Sequence, residues 1–304
     1  MRSLKLGMFA SVMALSAGLA QAGEIAVIVK ATSSNFWQNV NKGAEAAIAG
    51  QSEHSFTFDG PATESAVADQ VNLVENAINR GVSGIVLAPS DPEALAPAVK
   101  RAFESAIPVV IIDSALTESA KGTYQAFLST DNCAAGEEVA KRMIAEAGTE
   151  GKVAGMSYVA GVGSEIGRVG CFSDYLAEHS ELEIVGPYYS QSQMALALNQ
   201  TTDILASNPD LVGIFGANEP TAVGMGRAIM QAGKAGELVA LGFDGNEDLQ
   251  EFVRAGLMEA TAVQGSFAMG EMGVNAIMDI LAGKTVESFI NTGVVLVDQE
   301  NIDS

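Results

Sequence analysis

Histidine, cysteine and tryptophan are all scarce in this sequence, at two, two and one in 304 residues. His54 falls at the entrance of a polar segment and His179 at the end of a helical pattern, so neither sits where a general base or metal ligand is built. There is no H-E-x-x-H, no G-x-S-x-G and no phosphate-binding G-x-x-x-x-G-K-[ST] run, which removes the commonest zinc, serine-nucleophile and P-loop chemistries. Gly161, Gly163 and Gly167 open a helix after a strand, but their spacing is one residue too long for a dinucleotide loop. A tight strand-to-helix turn explains them better, and no cofactor, metal site or catalytic group is expected.

Basic residues are also few, 16 against 37 acidic, for a formal charge of −21. A surface this acidic repels phosphate backbones and anionic lipid, so nucleic acid is excluded as a partner. The longest apolar run, Leu6–Ala20, is too short to span a bilayer. It follows Arg2 and Lys5 and precedes Ala20-Gln21-Ala22, the pattern of a secretory signal peptide over residues 1–22 with maturation at Gly23. Losing its two basic residues takes the charge from −21 to −23. No lipid-accepting cysteine precedes the cleavage site, so the mature protein is expected free in the compartment to which it is exported, with no stable membrane insertion.

What the chain does contain is a repeated strand–helix alternation. Candidate strands are Ile25–Val29, Ser55–Phe58, Gly84–Ala88 and Val109–Ile112, separated by helical patterns over Phe36–Ala49, Glu64–Asn79 and Glu93–Ser105. Their Ile- and Val-rich runs lack polar alternation, as strands of a parallel sheet covered on both faces do. The pattern restarts with strands at Lys152–Val159, Leu182–Pro187, Leu211–Phe215 and Val239–Gly242. Helices there are predicted over Asn132–Ala147, Gly167–Glu178, Gln193–Ser207, Pro220–Ala232 and Asn246–Arg254. The expected fold is α/β, two doubly wound parallel-sheet lobes. The last helix, Phe267–Ala282, follows the second lobe's last apolar run, Ala260–Val263, has no strand partner nearby and should return to the first lobe. That implies three crossovers, near Ser129–Asn132, Gln264–Gly265 and Asn291–Val294. The lobes then comprise residues 23–130 plus 265–291, and 131–264 plus 292–304.

Ligands of open α/β sheets bind beyond the carboxyl ends of the strands. In the first lobe those positions carry Lys30, Ser34, Phe36, Trp37, Asp113 and Ser114; in the second, Arg168, Ser192, Asn218 with Glu219, Phe243, Asp244 and Gln264. Aromatic faces stack on the C–H faces of a sugar, and carboxylates, amides and guanidinium match its adjacent hydroxyls. Each residue alone has a plainer reading, such as core packing for Phe36 and Trp37 or helix capping for Asp131 and Asp244. Their joint placement favours a small polyhydroxylated ligand.

At these residues, and most clearly in Ile25–Trp37, Ile107–Asp113, Ser129–Asn132, Gly167–Phe172, Ile214–Asn218 and Leu241–Gly245, the chain resembles the ribose-binding-like periplasmic sugar-binding family. The resemblance implies a type I periplasmic binding protein, a receptor that closes over a sugar or sugar alcohol and delivers it to the permease of an ABC importer. It implies that Phe36 and Trp37 stack on the sugar and that Asp113, Arg168, Asn218, Asp244 and Gln264 bond its hydroxyls, with Phe243 helping to close the second lobe. Ser34, Ser114, Ser192 and Lys30 depart from the family pattern and point away from ribose, toward a sugar alcohol, a deoxy or amino sugar, or another pyranose. The competing readings are an exported carbohydrate-acting enzyme and a receptor for a non-sugar small molecule. A gene regulator of the lactose-repressor type needs an N-terminal DNA-binding segment that the signal-like N-terminus does not offer. A monomer is expected.

Cys133 and Cys171 each fall near a helix start in the second lobe. They are either two small buried thiols or a disulfide closing a loop of about 39 residues, and export favours the disulfide.

Overall fold

The structure, a computed structural model, describes residues 23–303; the expected signal segment 1–22 lies outside the described residues. The first sheet is built from β1 (Gly23–Ile28), β2 (His54–Asp59), β3 (Gly84–Leu87), β4 (Val109–Ile112) and β5 (Ala126–Ser129). These alternate with α1 (Asn35–Ile48), α2 (Val67–Arg80) and α3 (Pro92–Glu104). The chain then enters α4 (Asn132–Ala147), β6 (Glu150–Ser157), α5 (Gly163–His179), β7 (Glu181–Tyr189), α6 (Met194–Ser207) and β8 (Leu211–Gly216). It continues through α7 (Glu219–Gln231), β9 (Val239–Phe243), α8 (Glu247–Arg254) and β10 (Ala260–Gln264). Finally α9 (Ser266–Leu281) leads to β11 (Phe289–Asn291) and β12 (Val294–Asp298).

Among the described residues two six-stranded sheets form, in the orders β11-β5-β4-β3-β1-β2 and β12-β10-β9-β8-β6-β7. All pairings are parallel except β12 against β10. The central strands, β3 and β4, are buried at every residue, because helices cover both faces. Val86, Val110 and Ile112 pack toward α1 and α9, while Ile85, Val109 and Ile111 pack toward α2 and α3. The second lobe divides its core in the same way.

Local signals account for most element starts. Asp91 caps α3 by accepting from the amides of Glu93 and Ala94, with Pro92 supplying a preset φ at the first helical position. Asp131, Asn218 and Asn246 cap α4, α7 and α8 in the same way. Gly81 ends α2 in the left-handed region at φ +68°.

The chain passes between lobes from β5 to α4, from β10 to α9 and from β11 to β12. Helix α9 does return to the first lobe and packs on α1. The approach is close enough that a Cβ on Gly270 would stand 1.9 Å from the Val40 carbonyl oxygen, and one on Gly43 2.0 Å from that of Phe267. In the second lobe Cys133 and Cys171 form a disulfide joining α4 to α5, with Cα atoms 5.1 Å apart.

Three strands escaped the sequence reading. β5 (AFLS) and β11 (FIN) offer only brief apolar runs, and β12 begins at the Asn291–Val294 crossover. Two helix starts also moved. α2 begins at Val67 rather than Glu64, which leaves Glu64 in the turn after β2, and α5 begins at Gly163, one turn before Gly167.

Candidate functional site

The carboxyl ends of both sheets face each other across one cleft. Its inner cavity encloses about 320 Å³ of space not filled by atoms, part of it open to solvent. Lys30, Ser34, Phe36, Trp37 and Asp113 line it from the first lobe, and Arg168, Asn218, Asp244 and Gln264 from the second.

On the first-lobe side, Ser34 caps α1 by accepting from the Trp37 amide, which turns Phe36 and Trp37 into the cleft edge to face, with ring centroids 4.7 Å apart. Lys30, 2% exposed, leaves β1 and places its ammonium 2.6 Å from the Asp113 carboxylate. The same ammonium donates to Ser114 Oγ at 2.6 Å and to Ser164 Oγ, from the opposite lobe, at 3.4 Å. Ser114 thus sits behind Asp113, and the cavity is completed there by Ser164 and Tyr158, whose hydroxyls lie 2.8 Å apart.

On the second-lobe side, Arg168 is held on every edge. Its Nε and Nη2 donate to Asn132 Oδ1 at 3.2 and 2.7 Å, Nη1 to the Ala217 carbonyl at 2.6 Å, and Nη2 also to Gln264 Oε1 at 3.3 Å. The guanidinium lies 3.5 Å over the ring of Phe243, which is fully buried beneath it and does not line the cavity. Asp244 accepts from Gln264 Nε2 and from the Glu219 amide, both at 2.8 Å. Burial pushes the Asp244 carboxyl up to about 6, against the opposing pull of Arg168 and of these two donors.

Two acids join the lobes: Glu219, which the sequence already places beside Asn218 at a strand end, and Glu64, which it places only at a helix start. Glu219 accepts from the backbone amides of Asn35 and Phe36, both at 2.9 Å, at the start of α1. Burial, and then the nearby Asp244 carboxylate, raise Glu219 to about 7. Glu64 accepts from Trp37 Nε1 at 2.9 Å and from Ser192 Oγ at 2.6 Å, and Ser192 in turn accepts from Asn218 Nδ2 at 2.9 Å. Ser192 therefore lies outside the inner cavity, in the wall of a second cavity at the cleft mouth. Tyr158 directly follows β6, so the strand-end rule that gave Glu219 would have found it too, whereas Glu64 lies in the turn beyond β2 and Ser164 at the start of α5, where no local signal marks them.

A family model described as periplasmic binding protein domain matches residues 25–285. The chain belongs to that family. Relatives named for or solved with a sugar match over most of their length. The D-allose-binding periplasmic protein of Escherichia coli K12 is 30% identical over 87% of this chain and 86% of its own. An ABC transporter solute-binding protein of Agrobacterium vitis, solved with bound D-fucose, is 69% identical, covers 92% of this chain and 97% of its own, and superposes with a TM-score of 0.92. A carbohydrate solute-binding protein of Agrobacterium radiobacter, in complex with D-arabinose, is 30% identical over 94% of this chain and 97% of its own, with a TM-score of 0.89. The family is one of solute receptors.

Proposed function

We propose that this periplasmic binding protein captures a pyranose monosaccharide of the D-fucose kind and hands it to the permease of an ABC importer. The observation that carries the reading is the 69% identity to a receptor solved with D-fucose, over nearly the whole length of both chains. The cavity chemistry supports it. D-Fucose is a neutral ring with hydroxyls along one edge and a methyl group in place of the usual hydroxymethyl. Phe36 and Trp37 would stack on its apolar face. Asp113, Arg168, Asn218, Asp244 and Gln264 would take its hydroxyls, with Lys30 and Ser34 at the margin.

Residues 1–22 act as the export signal, and the mature protein works as a monomer in the periplasm. The lobes, 23–130 plus 265–291 and 131–264 plus 292–304, close about the three crossovers. We assign it no reaction, because the family consists of receptors and both histidines stand away from the cleft lining.

A thermal-shift and calorimetric panel of D-fucose, D-galactose, L-arabinose, D-allose, D-ribose and xylitol tests this. D-Fucose should bind most tightly, and at ~100 times its Kd it should stabilise the protein by ~2.7 kcal/mol. A panel in which no sugar shifts the melting temperature would reject the sugar reading; preference for another pyranose would reject only the D-fucose assignment.

A further inference from the structure

Closure of this cleft buries an excess of negative charge. Among the described residues, the carboxylates of Glu64, Asp113, Glu219 and Asp244 line the inner cavity against two cations, Lys30 and Arg168. Lys30 is matched to Asp113. Arg168 directs its donors to Asn132, Gln264 and a backbone carbonyl, and so meets no carboxylate directly. The remaining acids sit close together, since the Glu219 amide itself donates to Asp244 Oδ2. A neutral sugar entering this space brings no charge to offset theirs.

Glu219 stands apart because its cover comes from the other lobe. It is 5% exposed, and the amides that satisfy its carboxylate belong to Asn35 and Phe36. Opening the lobes returns it to water. The two amides and the N-terminal end of α1 favour the charged form, whereas loss of water and the adjacent acids oppose it. We propose that a proton is a co-ligand of this receptor, taken up at Glu219 when the lobes close over a neutral sugar and released when they open.

The groups facing Glu219 are Asp244 from the turn after β9, Glu64 from the turn after β2, and, across the cavity, Lys30, Asp113 and Arg168; α1 presents backbone amides. Opposition outweighs support: the closed form holds Glu219 at about 7 against an ordinary value of 4.5, with burial the largest cause and Asp244 the next. The sign follows from linkage. A carboxyl whose pKa is raised by closure favours the closed form fully below its open-form value, and this contribution is lost as pH rises through the closed-form value. Sugar affinity should therefore fall between pH 6 and pH 8.

The proposal rests on the sugar reading, and one experiment separates the two. D-Fucose is titrated calorimetrically into wild type and Glu219→Gln at pH 6, 7 and 8, each in two buffers of different ionisation enthalpy. Wild type should take up close to one proton per sugar at pH 6 and almost none at pH 8, with an affinity about tenfold lower at pH 8. Glu219→Gln should bind with almost no buffer-dependent heat at pH 7 and no slope between pH 7 and pH 8, where Asp244, held at about 6, is largely ionised. Wild-type binding with heat independent of buffer would overturn the proton while leaving the sugar intact, and it decides even where the variant does not fold. Wild-type uptake at pH 7 retained in Glu219→Gln would overturn the assignment to Glu219 and move the proton to Asp244. A receptor that ignores neutral sugars but binds an amino sugar would overturn both readings, because the cationic ligand supplies the missing charge.

Discussion

Asp113 and Asp244 hold equivalent places in the two lobes. Each follows the fourth strand of its lobe's parallel series, and each stands in the left-handed region, at φ +64° and +74°. A hydroxyl of the neighbouring strand fixes each carbonyl at 2.6 Å, from Ser129 in one lobe and Thr261 in the other. Non-glycine residues at positive φ cost about 1–3 kcal/mol and persist where the surroundings over-determine them. Here the strain turns both carboxylates into the cleft from opposite sides.

The two acids should nevertheless respond differently to the same substitution. Asparagine tolerates the left-handed backbone, so Asp113→Asn and Asp244→Asn both keep the turn. Asp113→Asn leaves Lys30 buried without its counterion and should cost about 3–5 kcal/mol of stability. Asp244→Asn removes one of the excess carboxylates and should leave the melting temperature of the sugar-free protein unchanged or higher, while weakening sugar affinity about tenfold, or 1.4 kcal/mol. Thermal unfolding and calorimetry on the pair check this; equal destabilisation by both would refute it.

Trp37 is the only tryptophan, 2% exposed, with its indole N–H held by Glu64 across from Ser192. Its emission should change saturably as ligand closes the lobes. Trp37→Ala should weaken binding by at least about tenfold. Glu64→Ala should keep binding measurable yet alter the emission of the bound state, since the indole loses its partner. Titration with unchanged Trp37 emission would count against stacking.

The Cys133–Cys171 bridge spans 38 residues in sequence and joins α4, which begins beside the Arg168 partner Asn132, to α5, which carries Arg168. In the chain-entropy account a loop of this length contributes about 4 kcal/mol. Denaturant unfolding with and without reductant should show a lower midpoint for the reduced protein. Two thiols titrating in denatured, unreduced protein would show the bridge absent.

Gly270 tests how α9 is docked. Its neighbour across the helix interface is the Val40 carbonyl, so Gly270→Ala must push α9 off α1 and should cost about 1–3 kcal/mol. Gly283, just past the end of α9 with nothing nearby, provides the contrast within the same segment: its φ of +76° makes Gly283→Ala a backbone penalty alone, about 1 kcal/mol. A Gly270→Ala protein as stable as wild type would mean that the helix does not sit as described.

The sequence alone determined the lobes and the rim of the cleft. Apolar runs without alternation specify buried parallel strands, and the polar residue that follows each one must lie at the sheet's carboxyl end, whatever else happens. Lys30, Asp113, Asn218, Asp244 and Gln264 reach the inner cavity for that reason, and Phe36, Trp37 and Arg168 reach it from the helices that follow the strands. Tertiary structure decided which neighbours turn inward. Phe243 and Asp244 are adjacent, yet the positive φ of Asp244 sends its carboxylate into the cavity while Phe243 stays beneath Arg168. Glu64 and Glu219 became partners of Ser192 and of the α1 amides only once the lobes approached. Those contacts join residues 128 or more positions apart, and their geometry depends on the angle between two bodies, a quantity that no local pattern of residues encodes.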